Sequence, residues 1–175
     1  MIYFDADPAN TVLSTSYQVV SLLSATRMTK TLPVSTQSRT GPLYWAAGVN
    51  EGTGSHVAKL AVYNSTASVP VTINFSGVRA GTKANLTVLS SSGPDAWNDI
   101  GSEVVVTQTM VLEANAWGGY TFSLPDLSVA VLATSGNAGQ PAWGGGWGNG
   151  WKGFGGYGGC KGGRRWGWGW GGNGC

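Results

Sequence analysis

The chain has 175 residues, 42% hydrophobic and only 10% charged, with a formal net charge of +2. That length suits one domain, or one domain with an appendage. So small a charge gives no electrostatic footing for nucleic acid. A single histidine, His56, leaves no histidine cluster for a metal, and no apolar run reaches the roughly 18 residues of a membrane span.

The charge is unevenly placed. Residues 1–135 hold six Lys/Arg and eight Asp/Glu, whereas residues 136–175 hold Lys152, Lys161, Arg164 and Arg165 and no acid. Both cysteines, Cys160 and Cys175, lie in the basic tail, and spacing leaves open whether they pair with each other or with another chain. The start of the chain lacks a basic n-region and an apolar h-region, so no signal peptide is visible.

In chain order, Ile2-Tyr3-Phe4 is a short apolar run followed by turn residues Asp5 to Pro8. Next, Tyr17, Val20 and Ser24 recur at helical spacing, flanked by Val19, Leu22 and Leu23. Ser14 or Thr15 suits the N-cap, and Arg27 and Lys30 sit where cations suit a helix C-terminus. This predicts a helix over 14–28, stopped by Pro33.

The texture then changes to β-prone runs: 43–49, 56–64, 69–75, 84–90, 103–111, 119–124 and 128–134. In Val69-Pro70-Val71-Thr72-Ile73-Asn74-Phe75 the apolar side chains share one face. Such runs at roughly 8–12-residue spacing predict a mainly β fold, a β-sandwich with its core between two sheets. Beyond Ser135 the pattern breaks. Residues 136–175 hold 19 of the 29 glycines and six of the nine tryptophans with no alternation, and the expectation there is a disordered tail.

Several residue sets invite a chemical reading. Asn50-Glu51 matches, as a dipeptide, the surroundings of many glycosidase acid/base residues, but it lies in a glycine-rich stretch between two strands and reads as a turn. Asp95, Asp99 and Glu103 are close enough in sequence for a carboxylate pair or a calcium site. Their spacing is looser than calcium loops use, and a solvated loop is expected. His56 has no Ser/Asp partner at a recognisable spacing, so it reads as an exposed or hydrogen-bonded strand residue. Tyr44-Trp45, Trp97 and Trp117 offer aromatic faces for sugar rings, set against core or inter-domain contacts. Asn64-Ser-Thr, Asn74-Phe-Ser and Asn85-Leu-Thr are acceptor sequons for N-glycosylation, which suit a secreted protein, and the alternation points Asn74 outward.

Three segments together resemble one family: IYFDADPANTVLSTSYQVVSLLSATR (2–27), GPLYWAAGVNEGTGSHVAKLAVYN (41–64) and ANLTVLSSSGPDAWNDIGSEVV (84–105). In order and spacing they are similar to the C-terminal region of fungal α-L-arabinofuranosidases of glycoside hydrolase family 51. The resemblance implies a (β/α)₈ barrel followed by a jelly-roll-like sandwich. Residues 1–33 would then be a remnant of the last barrel strand and helix, 34–135 the sandwich, and 136–175 a segment outside the resemblance. Asp5 and Asp7, after the last barrel strand, would sit near the substrate mouth or simply form a turn.

The family's reaction is retaining hydrolysis of terminal α-L-arabinofuranosyl groups by two carboxyl groups about 5–5.5 Å apart. Those glutamates belong to earlier barrel strands, so no catalytic residue carries over to this sequence, and no cofactor is implied. The expectation is a piece of a secreted enzyme of arabinan and arabinoxylan breakdown. Its partner would be the missing N-terminal barrel, and alone it would be inactive and would expose Tyr17, Val19, Leu22 and Leu23. The alternative is a free-standing carbohydrate-binding module using the aromatic set. A third reading makes the cationic tail a surface-binding segment.

Overall fold

The structure is a computed structural model that describes residues 11–36 and 41–136. The strand expected at Ile2–Phe4, the roles weighed for Asp5 and Asp7, the disordered tail and the pairing of Cys160 with Cys175 lie outside the described residues.

Among the described residues one helix and eight strands follow in order: α1 (Thr15–Ala25), β1 (Lys30–Thr31), β2 (Leu43–Asn50), β3 (Ser55–Val62), β4 (Val69–Asn74), β5 (Lys83–Ser91), β6 (Val105–Glu113), β7 (Gly119–Leu124) and β8 (Ser128–Thr134). All strand pairs are antiparallel. They form a six-stranded sheet ordered β1-β2-β3-β8-β5-β6 and a two-stranded sheet, β4-β7. The fold is mainly β with one helix, as the sequence predicts.

Alternation builds the core. Ala58, Leu60 and Val62 of β3, Ala84, Leu86 and Val88 of β5, and Ala130 and Leu132 of β8 are buried on one face of the large sheet. They cluster with Val71 of β4, Phe75 just beyond it, and Tyr120 and Leu124 of β7. Burying such side chains is the main stabilising term, roughly 1.5–3 kcal/mol for each large one. Tyr120 is wholly buried, and its hydroxyl donates to the Thr82 carbonyl at 3.1 Å, so its polar tip is not stranded. The same burial raises its pKa above the usual tyrosine value.

The central strand β8, SVAVLAT, shows no simple alternation because both of its faces are covered. Opposite the core, Val57, Leu89 and Val131 are also buried. Helix α1 packs on this second face, against β8 and β5.

The helix begins where expected: Ser14 is the N-cap, and its Oγ accepts from the Tyr17 N–H at 3.2 Å. It ends three residues earlier than expected. Thr26 is already extended, the Thr29 N–H donates to the Val49 carbonyl, and the Leu32 N–H donates to the Ala47 carbonyl, both at 2.9 Å. Pairing with β2 therefore stops the helix well before Pro33. Arg27 lies past its end and Lys30 lies in β1. The cation at the helix C-terminus is instead Lys59 of β3, whose Nζ donates to the Leu23 carbonyl at 2.6 Å.

The exposure expected for α1 is corrected in part. Val19, Leu22 and Leu23 are half-buried, while Tyr17 and Val20 are exposed. The close approach beneath the chain after α1 needs Gly48. A Cβ there would meet the Lys30 carbonyl oxygen at 2.7 Å and Met28 Sδ at 2.8 Å.

Candidate functional site

The aromatic set is dispersed by the register. Trp45 faces inward from β2, opposite Leu60, and packs half-buried against the core. Tyr44, its neighbour, takes the other face and is exposed. Trp97 is 67% exposed in the loop between β5 and β6, and Trp117 is 87% exposed in the turn between β6 and β7. These two tryptophans flank opposite ends of the nine-residue strand β6, which spans about 30 Å. The three tryptophans do not form one platform.

Trp45 and His56 do share a hollow of about 540 Å³ between β2, β4 and the chain after β1. Leu32, Pro33, Ile73 and Phe75 are among its walls, and no charged residue lines it among the described residues. The His56 ring lies 5.1 Å from that of Phe75. Its backbone N–H donates to Thr134 Oγ1 at 2.9 Å, but its buried Nδ1 has no hydrogen-bond partner among the described residues. His56 is thus a strand residue with a hydrogen-bonded backbone, and the register turns its half-buried side chain inward with Ala58 and Leu60. Burial lowers its pKa below the usual histidine value, because the imidazolium would lose solvation there.

The carboxylates are arranged as loop residues. Asp95, Asp99 and Glu103 are all exposed between β5 and β6. Asp99 and Ser102 exchange backbone hydrogen bonds at 3.0 Å, and Asp99 Oδ1 accepts from the Ile100 N–H at 2.8 Å. Among the described residues no group of three or more His, Cys, Asp or Glu could hold a metal ion.

The residue that organises this loop is one the sequence reading did not single out. Asn98 Oδ1 accepts from the N–H groups of Val104 and Val105 at 2.8 and 2.7 Å, and its Nδ2 donates to the Val105 carbonyl at 3.0 Å. An asparagine beside charged neighbours carries no local signal of that role. Asn50 and Glu51 form a turn. The Asn50 carbonyl accepts from Gly54 N–H at 2.8 Å, and Glu51 N–H donates to Thr29 Oγ1 at 2.9 Å.

The three sequons sit on different surfaces. Asn64 follows β3 in a turn, with φ 61°. Asn74 ends β4 and points outward, with its amide against Gly119. Asn85 lies on the helix-covered side of β5, lining a second hollow of about 330 Å³ with Leu22, Ala25 and Thr26.

The largest unexplained feature is α1 itself. Val19, Leu22 and Leu23 turn toward the sheet, while Leu13, just before the helix, and Tyr17 and Val20 form an outward stripe exposed by 40%, 47% and 64%. No helix among the described residues is long and apolar enough to cross a membrane. An apolar stripe on both sides of a short helix is the pattern of an element packed between two bodies.

A family model for the α-L-arabinofuranosidase C-terminal domain matches residues 1–128. The chain belongs to that family. It is 36% identical over 135 residues to α-L-arabinofuranosidase A of Aspergillus niger, a match that covers 77% of this chain and 20% of the relative. It thus spans about a fifth of the length of the curated relatives it matches. Among solved structures, a crystal structure of an arabinofuranosidase superposes with a TM-score of 0.66 at 16% identity, covering 77% of this chain and 31% of that one. An arabinose-bound MgGH51 α-L-arabinofuranosidase superposes with a TM-score of 0.63 at 22% identity, covering 78% of this chain and 21% of that one. At those identities the likeness shows the fold.

Proposed function

We propose that the chain serves as the C-terminal domain of an α-L-arabinofuranosidase. It covers one side of a catalytic (β/α)₈ barrel that hydrolyses terminal non-reducing α-L-arabinofuranosyl groups of arabinan or arabinoxylan. The observation that carries this reading is the family match over residues 1–128. The two-sided apolar helix α1 supports it, since Leu13, Tyr17 and Val20 offer the barrel a surface that the sandwich does not cover. The carboxyl pair such hydrolysis needs belongs to the barrel. A secreted parent acting on plant cell-wall polysaccharide is part of the same proposal, and the three sequons suit it.

The test is a chimera in which the C-terminal region of the Aspergillus niger relative is replaced by residues 1–134 of this chain. The chimera is expected to hydrolyse a chromogenic arabinofuranoside, whereas the truncated relative and this chain alone do not. A chimera no better than the truncated relative would count against the proposal. Turnover by this chain alone, scaling with protein across independent preparations, would overturn its non-catalytic role. The rival reading, a free-standing carbohydrate-binding module, needs a shared aromatic surface, and the separation of Trp45, Trp97 and Trp117 speaks against one.

A further inference from the structure

The sequons differ in what surrounds the acceptor amide. At Asn74 the following residue, Phe75, is buried, and the amide itself lies against Gly119. At Asn85 the neighbours Ala84 and Leu86 are wholly buried, the Thr87 hydroxyl is engaged by Thr109 at 3.1 Å, and Asn85 lines the hollow beneath α1. Neither has an exposed aromatic ring beside it in the chain.

Asn64 is different. It occupies the left-handed region at φ 61°, which asparagine tolerates better than most residues. Tyr63, immediately before it, is 63% exposed although its backbone is fixed, with its N–H donating to the Pro42 carbonyl at 3.1 Å. The turn is held from the other side as well. Ser65 N–H donates to Asp126 Oδ1 at 3.0 Å, and Ser65 Oγ donates to the Ala67 carbonyl at 2.6 Å. Asn64 and Thr66, the two side chains a glycosyl transferase must reach, are both exposed. The site is a turn held by hydrogen bonds at Tyr63 and Ser65, in which an exposed acceptor asparagine directly follows an exposed tyrosine.

We infer that Asn64 carries an N-linked oligosaccharide whose first sugar packs its C–H face on the Tyr63 ring, clamping the turn after β3. This rests on the proposed secretory route of the parent. The donor is a lipid-pyrophosphate-linked oligosaccharide brought by the host transferase. A bond forms between Asn64 Nδ2 and C1 of the first sugar, and the C1–O bond to the lipid pyrophosphate breaks. The pyrophosphate leaves with its electron pair, and one amide proton passes to a base of the transferase. The contact removes apolar ring surface from water and accounts for an exposed tyrosine in a turn that does not otherwise use it.

The test carries this chain through the secretory pathway of yeast behind a supplied leader, so its own route does not enter the result. Peptide mapping reads occupancy at Asn64. The glycan is then trimmed to a single sugar, and Tm is compared with that of Asn64→Gln. The same pair is made in the Tyr63→Ala and Tyr63→Phe backgrounds. The expected result is an occupied Asn64, with a glycan-dependent rise in Tm of about 2–4 °C. That rise should persist in Tyr63→Phe and fall by at least half in Tyr63→Ala. An unoccupied Asn64, no rise, or a rise unchanged in Tyr63→Ala overturns the inference. The arabinofuranosidase chimera is read separately, so its failure alongside an intact Tyr63-dependent rise rejects only the barrel reading.

Discussion

The outer faces of the two sheets make opposite demands. On the two-stranded sheet, β4 offers Pro70, Thr72 and Asn74, and β7 sets Gly119, Thr121 and Ser123 against them. The Thr72 and Thr121 hydroxyls meet at 3.2 Å, and nothing large and apolar appears. That face is made for water. On the six-stranded sheet the face turned away from the core buries Val57, Leu89 and Val131, and α1 lies over it. The contrast teaches that this domain has a side that ends in solvent and a side that continues, first into α1 and then, through Leu13, Tyr17 and Val20, outward again. The proposed barrel belongs on the continuing side.

The sharpest way to break this comparison is to place the same charge on both faces. Val131→Asp buries a carboxylate with no partner and is expected to cost about 3 kcal/mol or more. Thr121→Asp, on the wet face, should stay within about 0.5 kcal/mol. Urea denaturation of the two variants reads the difference directly, and equal losses would mean the faces are not distinct.

A smaller effect is expected from Gly48→Ala. The added methyl would push on the Lys30 carbonyl and the Met28 side chain, prising the link between α1 and β2 at a cost of about 2 kcal/mol. If the continuing side is organised by that link, hydrogen exchange should quicken in α1 while the β4–β7 amides keep their protection. Uniform loosening would dissolve the comparison.

The smallest effect concerns acid. His56 lies between the sheets with its pKa lowered by burial, so the unfolded chain binds its proton more readily than the folded one. Its contribution to stability is complete above the ordinary value of 6.5 and is lost as pH falls from there through the folded pKa. His56→Gln should flatten that part of the stability–pH curve. An identical slope in both proteins would show that the half-buried ring does not couple to folding.

Much of this was legible from residue order. The strands expected at 119–124 and 128–134 coincide with β7 and β8, those expected at 43–49 and 69–75 differ from β2 and β4 by a residue at one end, and 84–90 falls a residue short of β5 at each end. Val69, Val71, Ile73 and Phe75 do share the inward face, with Asn74 turned out. Strand β6 begins two residues after the expected 103, because Glu103 and Val104 belong to the loop that Asn98 holds. Of the candidate sites, the turn at Asn50-Glu51 and the solvated carboxylate loop were readable from composition. The inward position of His56 was not, because β3 is apolar on both faces, with Val57 and Ala61 on one and Ala58, Leu60 and Val62 on the other.

Period and punctuation, then, determined by themselves that the described residues form a β-sandwich preceded by one helix, where that helix starts and where most strands lie. These depend on neighbours a few residues apart, through side-chain alternation, a serine cap and the glycine and asparagine turns. Only the tertiary structure decided where the helix stops, which cation faces its end and which tryptophans stand apart. Each depends on a partner distant in sequence: Val49 for Thr29, Lys59 for Leu23, Leu60 for Trp45. Strand register sets those meetings, and register is a property of the assembled sheets.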